Sequence, residues 1–470
     1  MPAIRFGTDG WRGVIAEDFT VANVRLVARA IARHFVRYER PQAGMLVGYD
    51  NRFASERFAQ AAAETLAAAG IPAWLAEVPC PSPALSFAVR ERGAAGGIMI
   101  TASHNPYRWN GMKIKAAYGS SASPAAIDAV ETELETVLAD GIPELPRRPG
   151  AVLSFDAHGP YLDALGRLVD WDRLRAAGQR FLFDPMHGSA AGLLPELMRR
   201  HGVACDEIRG NRDPLFGGLN PEPIEGPNIE PLRAAMLDGS HDAAFLADGD
   251  GDRVGAMDPG GCFITAHQCF AILLWHLAGA RGLLGDVART FSVTSLVDKI
   301  AGKYRRRVLE TRIGFKYIAE LMLERDLLMG GEESGGIGFR FHLPERDATV
   351  CALLLAEVMA WHGKRLGELV AALEAEFGQH HYGRLDLELK PGQKDKAIEL
   401  FGSDRLDRVL DWAVARRESL DGIKLFLDEI GWMMVRASGT EPLLRIYAET
   451  TSRETTGRVL AAAARRVRSL

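Results

Sequence analysis

The chain has 470 residues, of which 47% are apolar, 25% charged and 8% aromatic. That length exceeds what one hydrophobic core serves, so three or four domains are expected, and the composition excludes disordered and collagen-like chains. With 56 Lys and Arg against 61 Asp and Glu the net charge is −5, which gives no overall electrostatic footprint for nucleic acid or an anionic membrane surface.

The first residues carry no charged leader ahead of an apolar stretch, so no secretory signal is read there. The first candidate strand is the apolar run at residues 45–50. It is followed by an Ala-rich stretch, residues 57–69, in which Phe58, Ala62, Thr65, Leu66 and Ala69 fall at helical spacing. Gly70 stands where a helix-ending glycine would. Residues 97–101 form a second buried-strand candidate, running into the polar turn Ser103-His104-Asn105-Pro106. Prolines at 143, 146 and 149 block both helix and ladder bonding and mark a linker.

The alternation then repeats, with a strand at 180–184, a helix at 190–200, and a strand at 243–247 that precedes an acidic turn. A boundary is expected at Asp258-Pro259-Gly260-Gly261. Beyond it lie helices at 269–277 and 315–325 and a strand at 327–329 before a glycine-rich turn. The apolar run at 269–280 contains His276 and is too short to cross a bilayer, so a core helix of a cytoplasmic protein is expected. Strands alternating with helices imply α/β layers with covered sheets. After a further boundary near residues 377–382, strict alternation at 384–389 and 422–427, with helices at 395–401 and 453–467, predicts a smaller α+β unit. The five cysteines, Cys80, Cys205, Cys262, Cys269 and Cys351, form no C-x-x-C pair, so reduced thiols are expected rather than a disulfide framework or a zinc site.

Four loops carry donor sets with chemical meaning. Ser103 follows a strand, where a hydroxyl can project at the carboxyl edge of a sheet. It lacks the frame of a nucleophile elbow, and the same serine also suits a helix cap, as His104 suits an ordinary turn. Asp248-Gly249-Asp250-Gly251-Asp252-Arg253 places three carboxylates at alternating positions after a strand, a set of hard oxygen ligands for one cation. An EF-hand is excluded, since its glycine and its bidentate glutamate positions would be Arg253 and Pro259. A solvated acidic turn is the other reading, against which stands the mutual repulsion of three close carboxylates. Gly330-Gly331-Glu332-Glu333-Ser334-Gly335-Gly336 offers acceptors and a donor suited to sugar hydroxyls, or a plain flexible turn. Arg436-Ala437-Ser438-Gly439-Thr440-Glu441-Pro442, followed by Arg445, suits a phosphate, or a turn with two structural ion pairs.

In this order and spacing, and with Phe6-Gly7-Thr8-Asp9-Gly10-Trp11-Arg12-Gly13 at the start, the chain resembles the α-D-phosphohexomutase superfamily of phosphoglucomutases, phosphomannomutases and phosphoglucosamine mutases. The resemblance spans essentially the whole chain. It implies three topologically similar α/β domains with mixed sheets plus a C-terminal α+β domain around a central cleft, with expected bounds of 1–149, 150–259, 260–378 and 379–470. It also implies a phosphorylated Ser103, with Mg2+ held by Ser103, Asp248, Asp250 and Asp252. Arg12, His104 and Lys113 would stand near the phosphoserine, where a cation supports proton transfer. Arg253 would lie beside the transfer site, Gly314 and Lys316 on a loop that helps choose sugar orientation, and Glu332 and Ser334 on the sugar hydroxyls. Arg436, Ser438, Gly439, Thr440 and Arg445 would grip the phosphate that is not reacting. Six of these groups, Arg12, Lys113, Arg253, Lys316, Arg436 and Arg445, are expected to make a cationic cleft in an otherwise acidic protein.

The expected ligands are small sugar phosphates, with a hexose 1,6-bisphosphate as intermediate and activator, and the expected state is monomer or homodimer, without nucleic acid or membrane. Gly-Glu-Glu-Ser-Gly looks more like glucose or dual glucose/mannose members than the Gln-Ser-Gly-His form common in glucosamine mutases. Phosphoglucosamine mutase, a metal-dependent sugar-phosphate phosphatase and a non-catalytic sugar-phosphate binder are the alternatives. Pro344-Glu345-Arg346-Asp347-Ala348 departs from the Asp-Gly common in relatives and leaves Arg346 without an assigned role.

Overall fold

A computed structural model describes residues 4–7, 10–140, 151–390, 392–437 and 443–470. Three of its four sheets share one plan. In the first, Met45–Tyr49 lies parallel to both Ala73–Ala76 and Gly96–Ile100, and Trp109–Ala116 runs antiparallel beside Gly96–Ile100. In the second, Arg180–Asp184 lies parallel to Ala204–Glu207 and Ala243–Ala247, with Val254–Asp258 antiparallel beside the latter. In the third, Asp286–Thr290 lies parallel to Val308–Thr311 and Leu327–Gly331, with Ile337–Phe339 antiparallel. Met45–Tyr49, Gly96–Ile100, Ala243–Ala247 and Leu327–Gly331 are buried along their whole lengths, as strands covered on both faces must be.

The reversal from the last parallel strand to its antiparallel neighbour occurs once in each of these sheets. Those three reversals are the Ser103 loop, the acidic loop and the glycine-rich loop. Motifs unrelated in sequence therefore sit at one equivalent position, beyond the carboxyl ends of parallel strands where open α/β sheets take their ligands.

The fourth sheet is antiparallel, with six strands between His381–Glu388 and Arg408–Val409 at its edges. Side chains alternate across it. Val435, Leu444, Ile446 and Ala448 pack on Val459 and Ala463 of the helix Arg453–Arg468, while Trp432, Met434 and Tyr447 face Phe291 of the third unit. One continuous apolar core runs through the first three units, and the fourth has its own.

Most expected elements are present with shifted ends. The helix expected at 57–69 is Ser55–Ala68 with Gly70 at φ +83° behind it. The helix expected from 190 begins at Leu193, because Gly192 is left-handed at φ +77°. The apolar helix Ala266–Trp275 passes into a looser turn at His276–Ala280. Ala348–His362, buried nearly all round, had no 3.6-residue stripe to reveal it. The segment Asp258-Pro259-Gly260-Gly261, where a boundary was expected, forms a hairpin turn leading into the last strand of the second sheet. Gly260 and Gly261 take φ of +82° and +78° and bring Cys262–Ile264 back beside Val254–Asp258. Val152–Phe155 extends the first sheet by pairing with Ala73–Ala76, covering what would be an open parallel edge. The linker expected at 143–149 lies outside the described residues. Among the described residues, no helix is long and apolar enough to cross a membrane.

Candidate active site

Ser103 leaves the strand Gly96–Ile100 in the left-handed region, φ +53°, a costly conformation for a residue with a Cβ. Its amide donates to Thr101 Oγ1 at 2.9 Å and its hydroxyl to Asp248 Oδ2 at 2.8 Å. His104 Nδ1 stands 3.4 Å from the same hydroxyl. Burial, and then the charges of Arg253, Arg12 and Lys113, hold the imidazole well below its ordinary pKa. Arg12, on the strand Gly10–Val14, donates to Asn105 Oδ1 of the Ser103 loop.

The acidic loop closes on itself through Asp248 Oδ1, which accepts from the amides of Asp252 and Arg253 at 2.9 and 3.1 Å. Asp250 Oδ2 accepts from Ser82 Oγ and from Lys113 Nζ, the latter at 2.9 Å, and Lys113 also reaches Asp252 Oδ2 at 3.3 Å. One oxygen from each of the three carboxylates lies within 4.8 Å of the others. Burial pushes Asp248 well above the ordinary carboxylate range, with Asp252 and Asp250 adding to the rise. Burial alone would raise Asp250 too, but Lys113, Ser82 and Arg346 together hold it below the ordinary carboxylate range. Oδ1 of Asp250 and Oδ1 of Asp252 are buried without a hydrogen-bond partner among the described residues. Orphaned carboxylate oxygens on an all-oxygen donor set fit a hard divalent cation such as Mg2+. Arg253 donates to Glu222 Oε1 at 3.0 Å, and His104 Nε2 is 3.9 Å from the same oxygen.

In the third unit, Glu332 and Ser334 occupy the glycine-rich reversal. This loop packs on the second unit, since Val254 N donates to Gly335 O at 3.0 Å. Burial raises Glu332 to about 7, a rise that Arg346 partly offsets. Arg346, which the sequence left without a role, donates to Glu332 Oε2 at 3.2 Å and pairs with Asp252 Oδ2 at 2.7 Å. One guanidinium thus joins the glycine-rich loop to the acidic loop. Gly314, at φ +132°, precedes the helix Phe315–Glu324, and Lys316 lies in that helix's first turn.

Arg436 and Arg445 are register partners on adjacent strands of the fourth sheet. Asp421 Oδ1 accepts from Arg436 Nε at 3.0 Å, while Asp421 Oδ2 accepts from the amide of Ile313 at 2.9 Å. Asp421 therefore clips this arginine to the loop that carries Gly314 and Lys316. Ser438, Gly439 and Thr440 lie outside the described residues. Of the six expected cations, Arg12, Lys113 and Arg253 gather about Ser103, and Arg436 and Arg445 stand together on the fourth unit, with the Lys316 loop tied to Arg436. Glu222, Arg346 and Asp421 escaped the sequence reading because each acts through a partner on a different loop, and no local spacing encodes such a pairing.

The arrangement puts a buried hydroxyl beside a cation-ready carboxylate cluster, with cationic groups around it and a second cationic group on another unit. That is equipment for moving a phosphoryl group rather than for acyl transfer. Four family profiles match the chain in order. They are the phosphoglucomutase/phosphomannomutase alpha/beta/alpha domains I, II and III, at residues 3–139, 159–261 and 265–377, and the C-terminal domain at 404–466. A phosphoglucomutase/phosphomannomutase of Thermococcus kodakarensis is 28% identical over 450 residues, covering 96% of this chain and 95% of its own. A phosphoglucosamine mutase of Clavibacter sepedonicus is 31% identical over 469 residues, covering 97% of each. A solved structure of a phosphomannomutase-like protein from Thermus thermophilus superposes with a TM-score of 0.87 at 36% identity, covering 99% of both chains.

Proposed function

The chain belongs to the phosphoglucomutase/phosphomannomutase family, whose members are mutases, and from that premise we propose that it interconverts hexose 1-phosphate and hexose 6-phosphate, with glucose preferred and mannose also accepted. The observation that carries this reading is the Ser103 hydroxyl 2.8 Å from Asp248 inside the carboxylate cluster. In the cycle, the phosphorus–oxygen bond of phospho-Ser103 breaks as a hydroxyl of the hexose monophosphate forms a new one, giving a hexose 1,6-bisphosphate. The hydroxyl proton passes to His104, whose imidazole is held uncharged and can hand a proton to Ser103 Oγ as that oxygen is freed. Lys113, an ammonium paired with Asp250 and Asp252, supplies positive charge. The intermediate turns end for end, and its other phosphate returns to Ser103.

Asp248, Asp250, Asp252 and an oxygen of phospho-Ser103 would hold Mg2+, which supplies positive charge at the phosphoryl oxygens when bound. Arg12 and Arg253 add fixed positive charge at the same end, where preorganised donors lower the barrier without reorganising. Glu332 and Ser334 hold sugar hydroxyls, Gly314 and Lys316 shape the sugar's orientation, and Arg436, Ser438, Gly439, Thr440 and Arg445 grip the phosphate at rest. The glucosamine-mutase relative keeps glucosamine phosphate as the second reading.

Glucose 1-phosphate with Mg2+ and a trace of glucose 1,6-bisphosphate should yield glucose 6-phosphate. Inorganic phosphate accumulating in its place would overturn the mutase reading. Ser103→Ala should cut turnover by more than about 1000-fold while the protein stays folded. The same assay with mannose and glucosamine 1-phosphates ranks the sugars.

A further inference from the structure

Arg52 follows the strand Met45–Tyr49 and is wholly buried, with 0% of its side chain exposed. A guanidinium has five N–H donors in a rigid fork, and here each has an acceptor. Nε donates to Asp50 Oδ2 at 3.1 Å. Nη1 donates to the carbonyls of Pro106 and Trp109 at 2.9 and 3.0 Å, and Nη2 to those of Ser103 and Asn105 at 2.6 and 2.7 Å. Four of the five acceptors are thus main-chain carbonyls between residues 103 and 109. The counter-ion serves the same loop, because Asp50 Oδ2 also accepts from Thr101 Oγ1 at 2.6 Å and Asp50 Oδ1 from Ser55 Oγ at 2.8 Å.

We propose that Arg52 is a positioning residue that sets the shape of the Ser103 loop and thereby aims the Ser103 hydroxyl. The inference rests on the mutase reading of Ser103. Ser103 is left-handed, so its backbone will relax unless its neighbours over-determine it. Its carbonyl is held on one side by Arg52 and packs on the other against Gly249 of the acidic loop, where a Cβ would come within 2.5 Å of it. The second unit also closes over Arg52. The Phe216 ring lies 4.9 Å from the guanidinium, and Arg212 donates to the carbonyls of Asn51 and Arg52 at 3.4 Å. The fork therefore fixes the loop's internal shape and its placement against the carboxylate cluster. A buried charge is costly unless paired and fully bonded, and a lysine, with three donors on a point charge, cannot satisfy four carbonyls and a carboxylate.

The test uses Arg52→Lys and Arg52→Ala in the full chain, assayed with glucose 1-phosphate, with thermal midpoints and Mn2+ binding followed by electron paramagnetic resonance. Arg52→Lys is expected to stay folded and bind Mn2+, with KM within about threefold of wild type and kcat lower by about 100-fold, the size of an ångström-scale misplacement of a reacting group. Guanidinium ion added to Arg52→Ala is expected to restore part of kcat. A kcat per folded molecule within threefold of wild type in Arg52→Lys overturns the proposal, as does a loss borne by KM alone. So does a guanidinium effect on the midpoint of Arg52→Ala without any gain in kcat, which also decides the matter if Arg52→Lys fails to fold. Wild-type protein that makes no glucose 6-phosphate counts against the mutase reading, whereas active wild type with unaltered Arg52→Lys counts against Arg52.

Discussion

Arg346 is the residue whose role changes most between sequence and structure. It stands between two buried carboxylates, Asp252 and Glu332, that belong to different loops. Gly336 leaves it room, since a Cβ there would meet its Cδ at 2.2 Å. Removing one partner of a buried ionic cluster leaves uncompensated charge, so Arg346→Met should destabilise the protein by about 3 kcal/mol. Adding Glu332→Gln to it should recover part of that loss, because one of the orphaned carboxylates is then gone. A denaturation series on the two single variants and the double variant reads this directly, and strict additivity would argue against the bridge. The three aspartates were legible in the sequence as one donor set, whereas Ser103 stood out only through the family resemblance, since by itself it suits a helix cap equally. Arg346 was not legible, because an arginine in a Pro-Glu-Arg-Asp stretch looks the same wherever its partners lie.

At the scale of elements, the three α/β units present one reversal each, and glycines in those reversals let the units touch. Gly249 meets the carbonyl of Ser103, and Gly335 meets that of Val254, where added Cβ atoms would come within 2.5 Å in both cases. Gly249→Ala should push the Ser103 loop from the acidic loop. The expected cost is about 1–3 kcal/mol of stability, as for other overpacked contacts, with weaker Mn2+ binding and a lower kcat. A thermal midpoint and Mn2+ affinity equal to wild type would show that the loops can part without consequence. The sequence reading had Gly249 as a spacer between carboxylates and Gly335 in a loop suited to sugar hydroxyls or to a plain turn. The structure gives these two a second task, approach to another loop, which no single-loop reading could reveal. Many strand and helix positions were readable from apolar spacing, whereas the start of the helix at Leu193 was moved by the left-handed Gly192 and the buried helix Ala348–His362 had no stripe to show it.

For the whole molecule, the fourth unit is held to the third by contacts outside the main cores. Glu449 accepts from Ser295, His380 and Trp432. Lys424 donates to the carbonyl of Phe291 at 2.8 Å and stands 4.2 Å from the Trp432 ring. Burial, and after it Arg289, push this lysine down to about 8 against the pull of Glu310, Glu449 and Asp298. Its folded pKa is below its unfolded value of 10.5, so below about pH 8 both states are protonated and the full burial penalty applies. Between those two values the unfolded chain binds more protons, and stability attributable to Lys424 rises with pH. The margin in thermal midpoint between wild type and Lys424→Met should therefore move in favour of wild type as the pH rises from about 8 toward the unfolded pKa. Parallel melts across that range check it, and a margin independent of pH would refute it.

Sequence alone determined the alternating α/β units, the antiparallel last unit and the donor groups that each motif carries. Apolar period and the donor groups within a few residues are local properties, and a chain carries them wherever it folds. Tertiary structure decided that the three motif reversals are topologically equivalent, and that Arg52, Arg346, Glu222 and Asp421 join groups far apart in the chain. Those facts depend on which unit packs against which, since a buried charge selects its partner by proximity after packing and not by distance along the chain.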